Sequence, residues 1–202
     1  MTDAAAEYRR RHEAFLQIIA EQLERQIRTY LAGTRNIDRI TARAKAPDRF
    51  AEKATRTDDR GQPKYTKPLT EIQDQIGARV IVFYRDDVDP TVDILTRYFQ
   101  PIEERELVPE SQWAFGYFGR HLVAPVPRDV VPREVNLDEV PRFFELQVKT
   151  MFQHAWSEAN HDLGYKPESR LSPDQVRRLA YTAAQAWGAD RAFAELFSEL
   201  RG

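Results

Sequence analysis

Cysteine is absent from the 202 residues, which excludes disulfides, thiolate metal sites and a thiol nucleophile. Missing too is any stretch approaching the roughly 20 apolar residues that a bilayer-crossing helix requires. The opening MTDAAAEYRRRHEAF lacks the apolar centre of a signal peptide. The expectation is a soluble, cytoplasmic protein with no membrane among its partners. Charge of one sign is lacking as well: thirty Lys and Arg stand against thirty-two Asp and Glu, for a net charge of −2. No global basic field therefore announces nucleic acid, although local clusters remain open. There is no internal repeat and no low-complexity segment. What is left is a chain 42% hydrophobic and 31% charged, long enough for one substantial core and too short for two comfortable domains. Residues 1–202 are expected to form a single domain.

Hydrophobic periodicity gives the elements. Phe15, Ile18, Ile19, Leu23, Ile27, Tyr30 and Leu31 recur at helical spacing, which predicts a long amphipathic helix from Tyr8 to Leu31, ending near Gly33. A second helical segment is predicted from Asp38 to Thr55, with Pro47 opening a fresh turn inside it. Thr55 to Pro68 carries the Gly and Pro punctuation of an exposed loop, of a length that is often functional. Gly77 to Tyr84, GARVIVFY, reads as an interior strand covered on both faces, followed by a helix from Val88 to Phe99. Further strands are expected at Ile102–Leu107, Tyr117–Val126 and Phe143–Lys149. In the last of these Glu145, Gln147 and Lys149 share one side, because alternate residues of a strand face the same way. Ser172-Pro-Asp-Gln175 supplies an N-cap, an early proline and a capping-box partner for a final helix. The sum is an α/β (α+β) chain, with helices flanking a small mixed β-sheet.

Four constellations can carry chemistry. Asp74 and Glu145 are lone carboxylates beside predicted strands, and two such groups on adjacent strands can share one Mg²⁺ whose other positions are filled by substrate oxygens. Taken singly, each also reads as an ordinary surface acid at a strand end. RITARAKAPDRFAEKATR places Arg39, Arg43, Lys45, Arg49 and Lys53 close together, a set that suits a triphosphate and equally a solvated helix face paired with Asp48 and Glu52. WAFGYFGRH brackets Tyr117 between Gly116 and Gly119, a shape that can present the ring to a purine or simply pack it at a turn; His121 follows, as a site residue or a core histidine. His154, Glu158, His161 and Asp162 share a helix face, but not at the His-Glu-x-x-His metalloprotease spacing. A network bracing a neighbouring site is the other reading of that face.

Taken in order, Arg43-Ala44-Lys45, Asp74-x-x-Gly77-x-Arg79, Gly116-Tyr117…His121 and Glu145-x-Gln147-x-Lys149-Thr150 resemble the synthetase domain of the RelA/SpoT-homologue alarmone synthetases in its small, single-domain form. The resemblance covers roughly residues 38–166 and extends to Tyr165 and Lys166. It implies a nucleotidyltransferase-like synthetase fold and pyrophosphoryl transfer from ATP to the 3′-hydroxyl of GDP or GTP, yielding (p)ppGpp and AMP. By the same resemblance Asp74 and Glu145 hold Mg²⁺ and serve catalysis, Glu145 helping to deprotonate the attacking hydroxyl. Arg43, Lys45, Lys53 and Arg79 bind ATP, while Tyr117, Arg120, His121, Gln147 and Lys149 bind the acceptor. The sequence departs from the family in Phe118-Gly119-Arg120 after Tyr117, with the phosphate contact moved to Arg120, in Lys149 where Arg is common, and in Ala46 where Ser is frequent. The hydrolase and regulatory domains of long family members are not expected in these 202 residues. Two alternatives accompany this reading: a toxic member that pyrophosphorylates tRNA 3′ ends or makes an adenosine alarmone, with an antitoxin partner and Lys64 and Lys67 on an RNA path, and a catalytically silent nucleotide-binding regulatory module. Small members often assemble as tetramers, so the partners implied are ATP, GDP or GTP, and a second copy of the chain.

Overall fold

A computed structural model describes residues 3–107, 114–116, 119–164 and 171–201. The first helical segment comprises α1 (Asp3–Arg11), a π-helical turn (His12–Leu16) and α2 (Gln17–Tyr30), and Gly33 turns the chain out with φ of 83°. Strands β1 (Ile37–Ala44), β2 (Ile76–Val82), β3 (Glu103–Leu107), β4 (Gly119–Pro125) and β5 (Phe143–Thr150) form one sheet in the order β1-β2-β5-β4-β3. Among the described residues only the β2–β5 pair is parallel, so the sheet is mixed. The helices are completed by α3 (Pro47–Ala54), α4 (Pro68–Glu71), α5 (Val88–Phe99), α6 (Met151–Gly164) and α7 (Pro173–Glu199). The α/β expectation of a small mixed sheet flanked by helices holds.

The predicted helix from Asp38 to Thr55 does not. Ile37–Ala44 is a strand paired antiparallel to β2, and only Pro47–Ala54 is helical. Arg, Ala and Lys favour helix when isolated, but Ile40, Ala42 and Ala44 alternate with Arg39, Thr41 and Arg43. Placing that period-two pattern beside the interior strand β2 buries one side of it, and tertiary pairing overrides local preference. As the sheet's edge, β1 has backbone groups that need partners. Glu24 of α2 accepts the Ala42 N–H at 3.0 Å, Arg28 donates to the Ile40 carbonyl, and the two side chains pair with each other at 2.9 Å.

The sheet is two-sided in chemistry. One face presents Ile40, Ala78, Val80, Val82, Leu122, Ala124, Phe144, Leu146 and Val148 to α2 and α5, and all of them are buried in one apolar cluster. Fully burying a side chain of Val, Leu, Ile or Phe size is worth about 1.5–3 kcal/mol, so this face holds the sheet to its helices. Register places Arg43, Gly77, Glu145 and Val123 in one row across the other face, with Arg79, Gln147, His121 and Arg105 in the next. That polar face carries the site.

Candidate active site

The parallel register of β2 and β5 sets Gly77 against Glu145. Asp74, in the turn three residues before Gly77, therefore arrives at the end of the strand pair where Glu145 stands. Among the described residues, its chain neighbours apart, nothing lies within 4 Å of where a Cβ on Gly77 would be, so the floor between Arg43 and Glu145 is left open. Asp74 and Glu145 line one cleft of about 450 Å³ together with Lys53, Lys64, Tyr65, Gln73, Arg105 and His121. The two carboxylates that the sequence singles out thus share a cavity.

Each acid has its own partners. Lys45 Nζ lies 2.9 Å from one Asp74 oxygen and Lys53 Nζ 2.9 Å from the other. Burial works to raise the Asp74 carboxyl, but the two ammonium groups overcome it and hold the acid below its usual range. Glu145 receives the Gln147 amide on Oε2 at 2.9 Å and lies 2.8 Å, through Oε1, from His121 Nδ1. Burial opposes its charge too, and Asp74 adds repulsion, yet the bonds from His121 and Gln147 leave it lowered. Both acids are ionised at neutral pH, so the cleft holds two negative charges flanked by lysines.

Farther along the same face the contacts run to α6. Arg79 pairs with Glu158 at 2.8 Å, and Lys149 Nζ reaches Ser157 Oγ at 3.4 Å. Burial, seconded by the charge of Arg79, pushes the Lys149 ammonium down to about 8 against the pull of Glu158 and Glu145. His154 is lowered chiefly by burial, with Glu158 opposing. Glu158 thus meets the site's cations, as the bracing reading of that helix face describes. Among the described residues no group of three or more His, Asp or Glu is placed to hold a metal ion.

The structure thus brings together Lys45, Lys53, Asp74, His121, Glu145 and Gln147, with Arg79 and Lys149 one step away and Arg43 exposed on the neighbouring strand. It does not bring Arg120 to them. Adjacent strand residues face opposite ways, and Arg120 leaves the far side of β4 to meet Asp89 of α5 at 2.6 Å and Glu104 of β3. Tyr117 lies outside the described residues, as do Tyr165 and Lys166. Sequence reasoning missed Tyr65, Gln73 and Arg105 in the cleft and placed Lys64 on a separate RNA path, whereas it lines the same cleft. Arg105 had a legible signal in the alternation Glu103, Arg105, Leu107 of β3. Its place opposite His121 needs the strand register.

The donor set fits a hard divalent cation. Two carboxylates facing one cleft, in a chain without thiolates, are what Mg²⁺ uses when substrate phosphates and water complete its shell. Glu71, at the rim of the same cleft, is occupied otherwise, accepting the N–H groups of Thr66 and Lys67 at 2.7 and 3.0 Å.

Residues 42–170 match the model of the region found in RelA/SpoT proteins. The chain belongs to the RelA/SpoT family. It is 29% identical to the GTP pyrophosphokinase YjbM of Bacillus subtilis strain 168 over 171 residues, covering 82% of this chain and 72% of that one. The structure of a GTP pyrophosphokinase family protein from Streptococcus pneumoniae superposes with a TM-score of 0.75 at 26% identity, over 99% of this chain and 96% of the other. Small alarmone synthetase 1 of Bacillus subtilis shares the fold, with a TM-score of 0.71 at 23% identity over 97% and 95% of the two chains. In this RelA/SpoT chain the family model begins at Ala42, inside β1, and takes in β2 to β5 with the whole cleft; α1, α2 and α7 lie outside it.

Proposed function

We propose that this chain is a GTP/GDP pyrophosphokinase, moving the β,γ-pyrophosphoryl group of ATP to the 3′-hydroxyl of GDP or GTP to make (p)ppGpp. The single observation that carries this reading is the shared cleft of Asp74 and Glu145, walled by lysines, in a chain of the RelA/SpoT family. In the reaction the acceptor 3′-oxygen bonds to the β-phosphorus of ATP while the α,β-bridging bond breaks, AMP leaves, and the hydroxyl proton is given up. No protein nucleophile is needed; positioning and charge compensation suffice.

Glu145 orients the hydroxyl and takes up its proton as the new bond forms, held in place by His121 and Gln147. Lys45, Lys53, Arg43 and Arg79 neutralise the phosphates of ATP, with Lys45 and Lys53 turning from Asp74 to the nucleotide. Asp74 and Glu145 would hold Mg²⁺, which when bound compensates the charge on the transferred phosphates. His121, Gln147 and Lys149 form the acceptor side, and Tyr117 is assigned to stack on guanine. Arg120, tied to Asp89 and Glu104, braces β4 instead.

The test is direct. Purified protein with γ-labelled ATP, Mg²⁺ and GDP or GTP is expected to give a labelled 3′-pyrophosphorylated product and AMP. Glu145→Gln is expected to lower turnover about 10²–10⁴-fold, the usual worth of a positioned acid or base, while ATP still binds. GMP, adenine nucleotides and tRNA run in parallel; transfer to none of these acceptors would refute the proposal, and transfer to tRNA or an adenine nucleotide alone would replace its acceptor.

A further inference from the structure

We infer that Tyr8, on α1 and outside the region matched by the family model, is a positioning residue for the Lys45, Asp74 and Lys53 cluster; the inference rests on the pyrophosphokinase reading of that cluster. Tyr8 has 0% of its surface exposed, and a hydroxyl so placed is costly unless it finds partners. Its partners are two site segments. The hydroxyl donates to the backbone carbonyl of Lys45 at 2.8 Å and lies 3.3 Å from that of Gln75, the residue after Asp74. The Gln75 carbonyl also accepts the Lys45 N–H at 2.8 Å. One hydroxyl therefore closes a link between the backbone that bears the Lys45 ammonium and the backbone that bears the Asp74 carboxylate.

The ring reaches the third segment. It stacks on Phe50 of α3, with centroids 3.8 Å apart and planes 3° from parallel. Phe50 is itself fully buried and stands one helical turn before Lys53, so the stack fixes the helix from which Lys53 reaches Asp74. Arg9, beside Tyr8, adds an ion pair to Asp48 at 3.0 Å between the same two helices. Burial, aided by the negative charge of Asp74, raises the Tyr8 phenol above its ordinary range, and it remains a donor across the pH range of an assay. A phenylalanine would fill the same volume and keep the stack. What it would lack is the hydroxyl that meets both buried carbonyls, leaving the Lys45 N–H bond to Gln75 to hold the two segments unaided, and misplacement of a binding group by about 1 Å can cost as much as 10²-fold.

The experiment compares Tyr8→Phe with Phe50→Leu, which keeps the hydroxyl and removes the stack, and with Val92→Ala, a core truncation in α5 on the opposite face of the sheet. Tyr8→Phe is expected to raise KM for ATP and the Mg²⁺ concentration for half-maximal rate by about tenfold, with KM for the guanine nucleotide unchanged. Phe50→Leu is expected to move the same two quantities in the same direction. Val92→Ala is expected to lower Tm at least as far without moving either. The inference is overturned if the wild type transfers pyrophosphate and both ring variants keep its KM for ATP, or if Val92→Ala raises that KM equally. Should the wild type transfer nothing, the functional reading fails separately. Calorimetric affinity for ATP with Mg²⁺ still decides the role of Tyr8: a loss in Tyr8→Phe supports it and equal affinity sinks it.

Discussion

Lys149 is held against its own charge. Only 3% of it is exposed, and burial together with Arg79 leaves its ammonium at about 8 despite the nearby acids Glu158 and Glu145. The cation is present below that pH and disappears above it. Because kcat/KM reports ionisations of the free enzyme, its dependence on the guanine nucleotide is expected to fall as pH rises through about 8, while below that pH it stays level. Lys149→Arg carries a charge that does not titrate in this range, so its profile is expected to remain level past pH 9. A rate profile with the same alkaline limb in both proteins would remove Lys149 as the titrating group.

At the scale of elements, the start of α3 shows what a helix without a side-chain cap forgoes. Ala46 occupies the N-cap with φ of −56° and ψ of 138°, and no side chain caps the helix there. The first N–H groups of a helix lack intrahelical partners, and a Ser or Thr hydroxyl at this position supplies one. Ala46→Ser is expected to stabilise the protein by about 0.5–2 kcal/mol, read as a rise of a few degrees in Tm by calorimetry. A neutral or negative shift would show that the exposed cap is already satisfied by water. The same segment marks a limit of sequence reading. Pro47 was legible as opening a fresh helical turn, since its missing N–H is no loss there, but not as the start of the helix itself; β1 was not legible, because Arg, Ala and Lys carry helical preference and only pairing with β2 reveals the alternation. By contrast β2 and β5 were legible from their own residues, one as an apolar run and the other as the alternation that aims Glu145, Gln147 and Lys149 at one face. The bounds of α5 match expectation at both ends.

For the molecule as a whole, motifs identified the site's acids and cations, but the register that unites them is a property of the assembled sheet. Nothing in the string Arg120-His121 says which of the two side chains faces the cleft, and nothing near Tyr8 announces two carbonyls 37 and 67 residues away. Assembly also buries Asp190 of α7, 4% exposed, where it accepts the Thr150 hydroxyl at 2.7 Å at the end of β5 and leaves its other oxygen without a hydrogen-bond partner among the described residues. Burial raises this acid to about 6, against the weaker effects of Thr150 and Arg85. Between about 6 and the ordinary value of about 3.9, the folded chain binds more protons here than the unfolded one. The stability that Asp190 contributes is thus fully present below its unfolded pKa and is lost as pH rises through about 6. Asp74 and Glu145 have the opposite sign: both are lowered, and their contribution is lost as pH falls below the ordinary carboxylate range. Asp190 by itself therefore gives a fall of a few degrees in Tm from pH 5 to pH 7, read as the difference between the wild type and Asp190→Asn, since a tenfold change in a group's proton affinity on folding is worth about 1.4 kcal/mol. Asp190→Asn keeps an acceptor for Thr150 and cannot ionise, so its Tm is expected to lack that fall between pH 5 and 7 while keeping the acid loss. Parallel Tm profiles of the wild type and Asp190→Asn across that interval would assign the docking of α7 to contacts other than this carboxyl.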